Sequence, residues 1–292
     1  MTGFDIGPKH VGDGAPCLIV GEVAQAHEGS LRLAHDYIDA IAKAGADAVK
    51  FQCHIAAAES TPDEPWRVKP KWDHDGSRYL YWQRMEFAPD QWAGLKEHAD
   101  EVGLIFLCSP FSVEAVELLD PLVPAWKVAS GEVTNEALIY SMRTTRKPLL
   151  VSTGLATKEE IVRIAGYADA LLQCTSEYPT KPESVGLDIL EAWRSCHFDG
   201  PVGLSDHSGT IYAGLAAVAL GCDVLEVHIK LSQHDQGFDA SSSITVDQLK
   251  QLVEGVRFIE KAKQPVDKDA LAKELEPMRE LFMRKHERRA LA

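Results

Sequence analysis

Eight short apolar runs alternate with segments of helical periodicity, and this alternation limits the fold more than any other feature of the chain. The runs span residues 18–24, 48–53, 104–109, 125–129, 148–152, 170–175, 201–205 and 224–229. Strands separated by helices are typical of parallel βα units, because a parallel connection must cross back over the sheet. Eight such units predict an α/β fold that closes as a (β/α)8 TIM barrel.

The segments between the runs have the apolar spacing of amphipathic helices. Leu33, Tyr37, Ile38 and Ile41 form one stripe along residues 31–44, which end at a glycine. Similar stripes predict helices over residues 92–102, 211–220 and 246–262.

The length of the chain fits one large domain. We place a catalytic barrel at residues 1–265 of the 292, followed by a charged helical tail or linker at residues 266–292. Residues 54–87 are rich in Pro, Asp, Trp and Tyr and are too long for an ordinary βα loop. They are predicted to form a functional flap after the second strand.

Charge and cysteine content exclude several classes of protein. With 30 basic and 44 acidic residues, the formal net charge is −14, which disfavours binding to nucleic acid or to an anionic membrane. The six cysteines have no CxxC spacing, so we expect a reducing, cytoplasmic location. Neither a secretion signal nor a membrane-spanning segment is expected. An anionic substrate would require a local basic pocket.

Polar side chains stand at the end of almost every apolar run, and the carboxyl ends of barrel strands form the active site. Residues two apart share one face of a strand, which groups Lys50 with Gln52, and His228 with Glu226. His207 and His228 end adjacent strands and could bind one Mn, Zn, Fe or Co ion. The alternative is a pair of surface or core histidines with satisfied hydrogen bonds.

Two lysines end strands that are expected to be buried. Lys50 and Lys127 each need an anionic partner there, either a phosphorylated carboxylate or a salt bridge to Glu22 or Glu132. The two glutamates are also candidates for general acid or base, since shielding from water raises the pKa of a carboxylate. Five serines at strand ends could donate hydrogen bonds to a phosphate, although a single serine there is more often a turn residue. They are Ser109, Ser130, Ser152, Ser176 and Ser205.

A series of motifs extends over essentially the whole chain. In order, they are GEVAQAHEGS, AGADAVKFQ, FLCSPF, WKVASGEVTN, VSTGLAT, CTSEYP, GLSDHSG and LEVHIKL. In this order they resemble the N-acetylneuraminate (sialic acid) synthase family. Together, the motifs at successive strand ends are far more specific than any one of them.

The resemblance implies a (β/α)8 transferase that joins phosphoenolpyruvate to N-acetylmannosamine or a related amino sugar and releases phosphate. It implies that His207 and His228 bind a divalent metal, most often Mn2+, and that Glu22, Glu132 and Lys127 are catalytic. Either glutamate would position or deprotonate the water that adds to the reacting carbon. The residues implied to bind the two substrates are Lys50, Gln52, Ser109, Ser130, Ser152, Ser176, Tyr178, Ser205 and Asp239.

The chain also departs from the family pattern. Ala24 and Ala26 occupy positions where members usually have glycine and asparagine, and the sequence around Asp239 follows the pattern only in part. Members continue into an antifreeze-like domain that supplies a sugar-binding arginine to a partner. For this chain we expect a barrel without that domain, which forms a homodimer. The sugar could instead stack on aromatic side chains of the flap, although these could equally pack a long loop. They are Trp66, Trp72, Tyr79, Tyr81 and Trp82.

Two alternatives stay open. The same condensation could use a different aldose, such as a phosphorylated sugar, which extra arginines at the mouth of the site would favour. The barrel could also be non-catalytic and bind a sugar or a partner protein.

Overall fold

A computed structural model describes residues 3–67, 75–233 and 237–283, except for the side chains of Cys196 and His197. The strands are β1 (Phe4–Ile6), β2 (Lys9–Val11), β3 (Leu18–Ala24), β4 (Ala48–Cys53), β5 (Ile105–Pro110), β6 (Trp126–Val128), β7 (Leu149–Ser152), β8 (Ala170–Cys174), β9 (Val202–Asp206), β10 (Val224–Lys230) and β11 (Ile244–Thr245). The helices are α1 (Leu31–Ala44), α2 (Ala56–Glu59), α3 (Arg78–Met85), α4 (Pro89–Glu101), α5 (Val113–Leu119), α6 (Glu136–Thr144), α7 (Lys158–Ala165), α8 (Leu187–Ala192), α9 (Tyr212–Ala219), α10 (Val246–Ala262), α11 (Lys268–Glu274) and α12 (Glu276–Phe282).

Strands β3 to β10 form a closed parallel barrel. Each pairs with the next along the chain, and β10 pairs with both β9 and β3, which closes the ring. These are the eight predicted strands, and the predicted (β/α)8 TIM barrel is confirmed. Within the described ranges, no helix is long and apolar enough to cross a membrane.

The outer layer of helices follows from local sequence signals. Ser30 caps α1 by accepting a hydrogen bond from the backbone N–H of Leu33, and Gly45 ends the helix with φ of 86°. Between them, Tyr37 and Ile41 are buried against the barrel, as the apolar stripe predicted. The four helices predicted over residues 31–44, 92–102, 211–220 and 246–262 are all present as α1, α4, α9 and α10.

The side chains inside the barrel change from apolar at one end to polar at the other. In β3, the inward positions run from Leu18 and Val20 to Glu22, and β10 repeats the change from an apolar to a polar side chain. The apolar inward residues form one buried cluster at the amino ends of the strands. The polar ones collect at the carboxyl ends, so the strand alternation itself separates a stabilising end from a functional end.

A short hairpin closes the apolar end of the barrel. β1 and β2 pair antiparallel, and Ile6 and Val11 are fully buried in the apolar inner cluster. The sequence did not predict this hairpin, because its strands are only three residues long and too short for a clear alternation.

Candidate active site

The carboxyl ends of the barrel strands surround one cavity of about 490 Å³. All but one of the residues predicted to form the site line it. They are Glu22, Lys50, Gln52, Ser109, Lys127, Ser130, Ser152, Ser176, Tyr178, Ser205, His207, His228 and Asp239. Strand register explains the grouping, because Glu22 lies beside Lys50 on β4 and beside His228 on β10.

Lys50 is fully buried and pairs with a carboxylate. Its Nζ lies 2.8 Å from Oε2 of Glu22 and 3.3 Å from Oγ of Ser109, to which it donates a hydrogen bond. Of the partners considered from the sequence, Glu22 therefore provides the salt bridge. Burial raises the pKa of Glu22, and Lys50 only partly opposes this effect. The raised pKa makes Glu22 a candidate for proton exchange.

Glu226 connects both lysines, and sequence reasoning did not select it as a site residue. Its Oε1 lies 3.3 Å from Nζ of Lys127 and 3.7 Å from Nζ of Lys50, and it accepts a hydrogen bond from Ser205 at 3.0 Å. Burial alone would raise its pKa, but Lys127 and Lys50 outweigh burial and lower the pKa to about 2. The two lysines thus favour the ionised form of Glu226, which lies between them.

Burial disfavours the charged form of both lysines, but the net shift of the pKa differs between them. Burial lowers the pKa of Lys127, which Glu226 only partly offsets, while the carboxylates of Glu22 and Glu226 raise the pKa of Lys50 against burial. Lys127 also donates a hydrogen bond of 2.7 Å to Ser152. The cavity floor therefore carries two lysines and hydroxyl groups suited to an anionic ligand.

Two of the predicted serines lie close together beside Gly154. Ser130 accepts a hydrogen bond of 2.9 Å from the backbone N–H of Gly154. A Cβ at position 154 would come within 2.8 Å of Ser130 Oγ and within 2.4 Å of Ser176 Oγ, so only glycine allows this approach. Ser152, at the end of β7, lines the same cavity.

The two predicted metal ligands lie next to each other at the ends of the adjacent strands β9 and β10. The ring centroids of His207 and His228 are 5.0 Å apart, and Tyr178 stacks on His207 at 4.5 Å. His207 Nδ1 is 3.1 Å from the carbonyl oxygen of Thr175, and donation to that oxygen leaves Nε2 as an acceptor or a ligand. Burial lowers the pKa of His228 well below its ordinary value, which keeps that ring neutral. In the described part of the chain, no three His, Cys, Asp or Glu side chains form a metal-binding group.

The flap supplies one wall of the cavity. Trp66, Tyr81 and Trp82 line it, as do Arg67 and Arg78. Of the other aromatic residues considered for sugar stacking, Tyr79 does not line the cavity and Trp72 lies outside the described residues.

Glu132 is the predicted site residue that does not line the cavity. It follows β6 in a short 3-10 helix, and its Oε2 accepts a hydrogen bond of 2.8 Å from the side chain of Asn135. The turn after β6 directs this carboxylate away, so Glu22 is the better candidate for proton transfer.

Two further residues line the cavity although sequence reasoning gave them no role. Gln25 is buried and donates a hydrogen bond of 3.3 Å to Gln52. Cys174 lies at the end of β8, with its Sγ 3.8 Å from Nδ1 of His207. Glu226 could have been found from its position two residues before His228, whereas Gln25 follows the strand and carries no periodic signal.

Comparison with known proteins supports a family assignment. The NeuB family matches residues 37–268. Human N-acetylneuraminate-9-phosphate synthase is 35% identical over 265 residues, which cover 87% of this chain and 73% of that protein. Pseudaminic acid synthase of Campylobacter jejuni is 35% identical over 256 residues, which cover 84% and 74% of the two chains.

Comparison with solved structures supports the same family assignment. A sialic acid synthetase from Leptospira borgpetersenii, solved in complex with citrate, superposes with a TM-score of 0.82 and 26% identity. The match covers 97% of this chain and 98% of that chain. The resemblance to the sialic acid synthase family is therefore confirmed, and this chain belongs to the NeuB family.

Proposed function

We propose that this protein condenses phosphoenolpyruvate with an amino-sugar aldehyde similar to N-acetylmannosamine, giving a nonulosonic (sialic) acid and phosphate. The observation that supports this most is the cavity floor, where Lys50, Lys127 and strand-end hydroxyl groups lie beside a carboxyl group of raised pKa. Relatives named as synthases of sialic and pseudaminic acids support the same class of reaction.

The lysines and serines would hold the anionic groups of phosphoenolpyruvate. Lys127 and Ser152 are hydrogen-bonded to each other, so both can turn to the same phosphate or carboxylate oxygen. Lys50 and Ser109 form the corresponding pair on the other side of Glu226. Charged donors in a buried cavity stabilise developing negative charge more strongly than they would in water.

Glu22 would accept a proton during the reaction. In the condensation, C3 of phosphoenolpyruvate forms a bond to the aldehyde carbon, water adds at C2, and cleavage of the C–O bond releases phosphate. The buried carboxyl of Glu22 is suited to take the proton from that water, because its raised pKa brings it nearer to neutral pH. Gln52, which donates a hydrogen bond of 3.0 Å to Glu22, would keep the carboxyl in place.

The two histidines fit a divalent ion, with Mn2+ the metal that we propose. Both are imidazoles that line the cavity, and the rest of a coordination shell would come from substrate or water. When bound, such an ion would supply Lewis-acid polarisation of the aldehyde oxygen. Asp239 lines the cavity beside the two histidines, and its Oδ2 lies 3.8 Å from Nδ1 of His228, so a water between the two would connect the carboxylate to the ring.

The test is phosphate release from phosphoenolpyruvate with Mn2+, screened over N-acetylmannosamine, diamino sugars and phosphorylated aldoses. We expect release that depends on the acceptor and is lost in His207→Ala, but kept in the control His98→Phe on α4. Binding of phosphoenolpyruvate without release for any acceptor would contradict the proposal and favour a non-catalytic binding barrel.

A phosphorylated acceptor is a second candidate, favoured by the flap. Arg67 and Arg78 both line the cavity, and both form a salt bridge with Glu64. Nε of Arg67 lies 2.9 Å from Oε1 of Glu64, and Nη1 of Arg78 lies 3.0 Å from Oε2. Two guanidinium groups on one carboxylate leave a net positive charge at the mouth, which suits a phosphate. If the acceptor is phosphorylated, Arg78→Gln should raise the KM for the phosphorylated sugar at least tenfold and leave that for an unphosphorylated sugar unchanged.

A further inference from the structure

A chain of hydrogen bonds leads from the cavity to a buried histidine that the proposed reaction does not use. Gln52 donates through Nε2 to Glu22 at 3.0 Å, and its Oε1 lies 3.4 Å from Nε2 of His54. On the far side of the ring, Nδ1 of His54 lies 2.8 Å from Oε2 of Glu59. The chain therefore runs from Glu59 through His54 and Gln52 to the carboxyl group at the reacting end of the cavity.

The polarity of this chain fixes the orientation of the Gln52 amide. Nε2 of His54 faces the oxygen of Gln52 and Nδ1 faces the carboxylate of Glu59, so a ring nitrogen that carries a proton donates to the acceptor that it faces. The oxygen of Gln52 then faces His54, and its NH2 group faces Glu22. If the amide turned around, its oxygen would face the carboxylate of Glu22, and two acceptors would meet in a buried place.

His54 is clamped on both faces. Its ring stacks on Trp82 at a centroid distance of 3.7 Å and on Phe111 at 4.0 Å. Glu59 is itself fixed, because its other oxygen accepts a hydrogen bond of 2.7 Å from the backbone N–H of Ile55. The ring therefore has little freedom to turn, and a group held this firmly can orient its neighbour.

We propose that His54 is a positioning residue, held by Glu59 and clamped between Trp82 and Phe111, that fixes Gln52 so that its amide donates to Glu22. This inference rests on the proposed function, in which Glu22 exchanges a proton. It also links the flap to the reacting end of the cavity, because Trp82 belongs to α3 and lines the cavity from the flap side.

The experiment compares His54→Phe with the wild-type protein and with the control His98→Phe. The variant keeps an aromatic ring between Trp82 and Phe111 but removes both donors. We expect kcat to fall about 10- to 100-fold, as for other outer hydrogen-bond partners of a site, while the Kd of phosphoenolpyruvate stays within twofold. The control, which makes the same replacement on the outer helix α4, should have the wild-type kcat.

Glu59→Gln serves as a second variant in case His54→Phe does not fold. It keeps the ring and its stacking but replaces a carboxylate that faces both Nδ1 of His54 and the backbone N–H of Ile55, so kcat should fall in the same direction by several-fold. A folded variant of either kind with a kcat within twofold of the wild type overturns the inference, as does an equal loss of phosphoenolpyruvate affinity. If the wild-type protein releases no phosphate with any acceptor, the proposed function fails, and the inference fails with it.

Discussion

Glu226 lines the cavity and also contributes to the stability of the fold, and the pH dependence of the unfolding free energy measures the second contribution. Its pKa of about 2 is below the ordinary value of 4.5, despite burial, because Lys127 and Lys50 stabilise the anion. A lowered pKa adds stability above pH 4.5 that is lost as the pH falls toward 2. The shift of the pKa from 4.5 to about 2 corresponds to roughly 3 kcal/mol of unfolding free energy.

Glu226→Gln should therefore be less stable than the wild-type protein at pH 7, and the difference should shrink between pH 4.5 and 2. Urea unfolding at several pH values measures this. Glu254→Gln, on the exposed side of α10, is the matched control, and its difference from the wild type should not vary in the same way. A difference for Glu226→Gln that stays constant from pH 7 to pH 3 would contradict the assigned charge.

The sequence predicted residue types at strand ends better than it predicted their partners. The alternation of strands placed Glu22, Lys50 and His228 correctly on the cavity side, because the alternation is a local property. It could not predict that Glu132 turns toward Asn135, since that depends on the short helix after β6. Nor could it predict that both lysines share Glu226, because this contact depends on closure of the barrel.

At the scale of elements, the contact between α3 and the loop that joins β3 to α1 depends on one glycine. Gly29 has φ of 76°, and a Cβ there would lie 2.1 Å from the carbonyl oxygen of Arg84 in α3. Gly103 has nearly the same φ, 80°, but no atom lies within 4 Å of its Cβ position. Substituting each of these two glycines therefore distinguishes the cost of backbone strain, which both share, from the cost of a steric clash, which only Gly29 has.

Gly103→Ala should cost about 1–2 kcal/mol of unfolding free energy from left-handed strain alone. Gly29→Ala should cost about 1–3 kcal/mol more, because the added methyl group pushes α3 away. It should also raise the KM for the acceptor, since α3 carries Tyr81 and Trp82. Denaturant unfolding and steady-state kinetics check both effects, and equal costs for the two variants would rule out the clash.

Strong periodic signals predicted the elements well, and weak ones did not. The eight strands and the helices at residues 31–44 and 246–262 are where their apolar spacing places them. The flap was predicted only as a long segment, and its helices α2 and α3 were missed because α2 has only four residues and α3 few buried positions. A short helix that packs on one neighbour leaves little pattern in the sequence.

At the scale of the whole molecule, the apolar inner cluster and the candidate active-site cavity lie at opposite ends of the barrel. The apolar end is closed by the hairpin, where Ile6 is fully buried in the inner cluster, while the cavity lies at the other end. Such a division predicts that damage to one end leaves the other end intact, provided that the protein stays folded.

Ile6→Ala tests this division. Truncating a fully buried isoleucine should lower the unfolding free energy by about 2–5 kcal/mol, because lost burial and the remaining cavity both count. Below the unfolding temperature of the variant, kcat and KM should match the wild type, since Ile6 does not line the active-site cavity. Val162→Ala, at a side chain 76% exposed, is the control and should change stability by less than about 0.5 kcal/mol. A fall in kcat at a temperature where Ile6→Ala is fully folded would mean that the two ends are coupled through the strands, and that the inner cluster helps to set the geometry of the lysines above it.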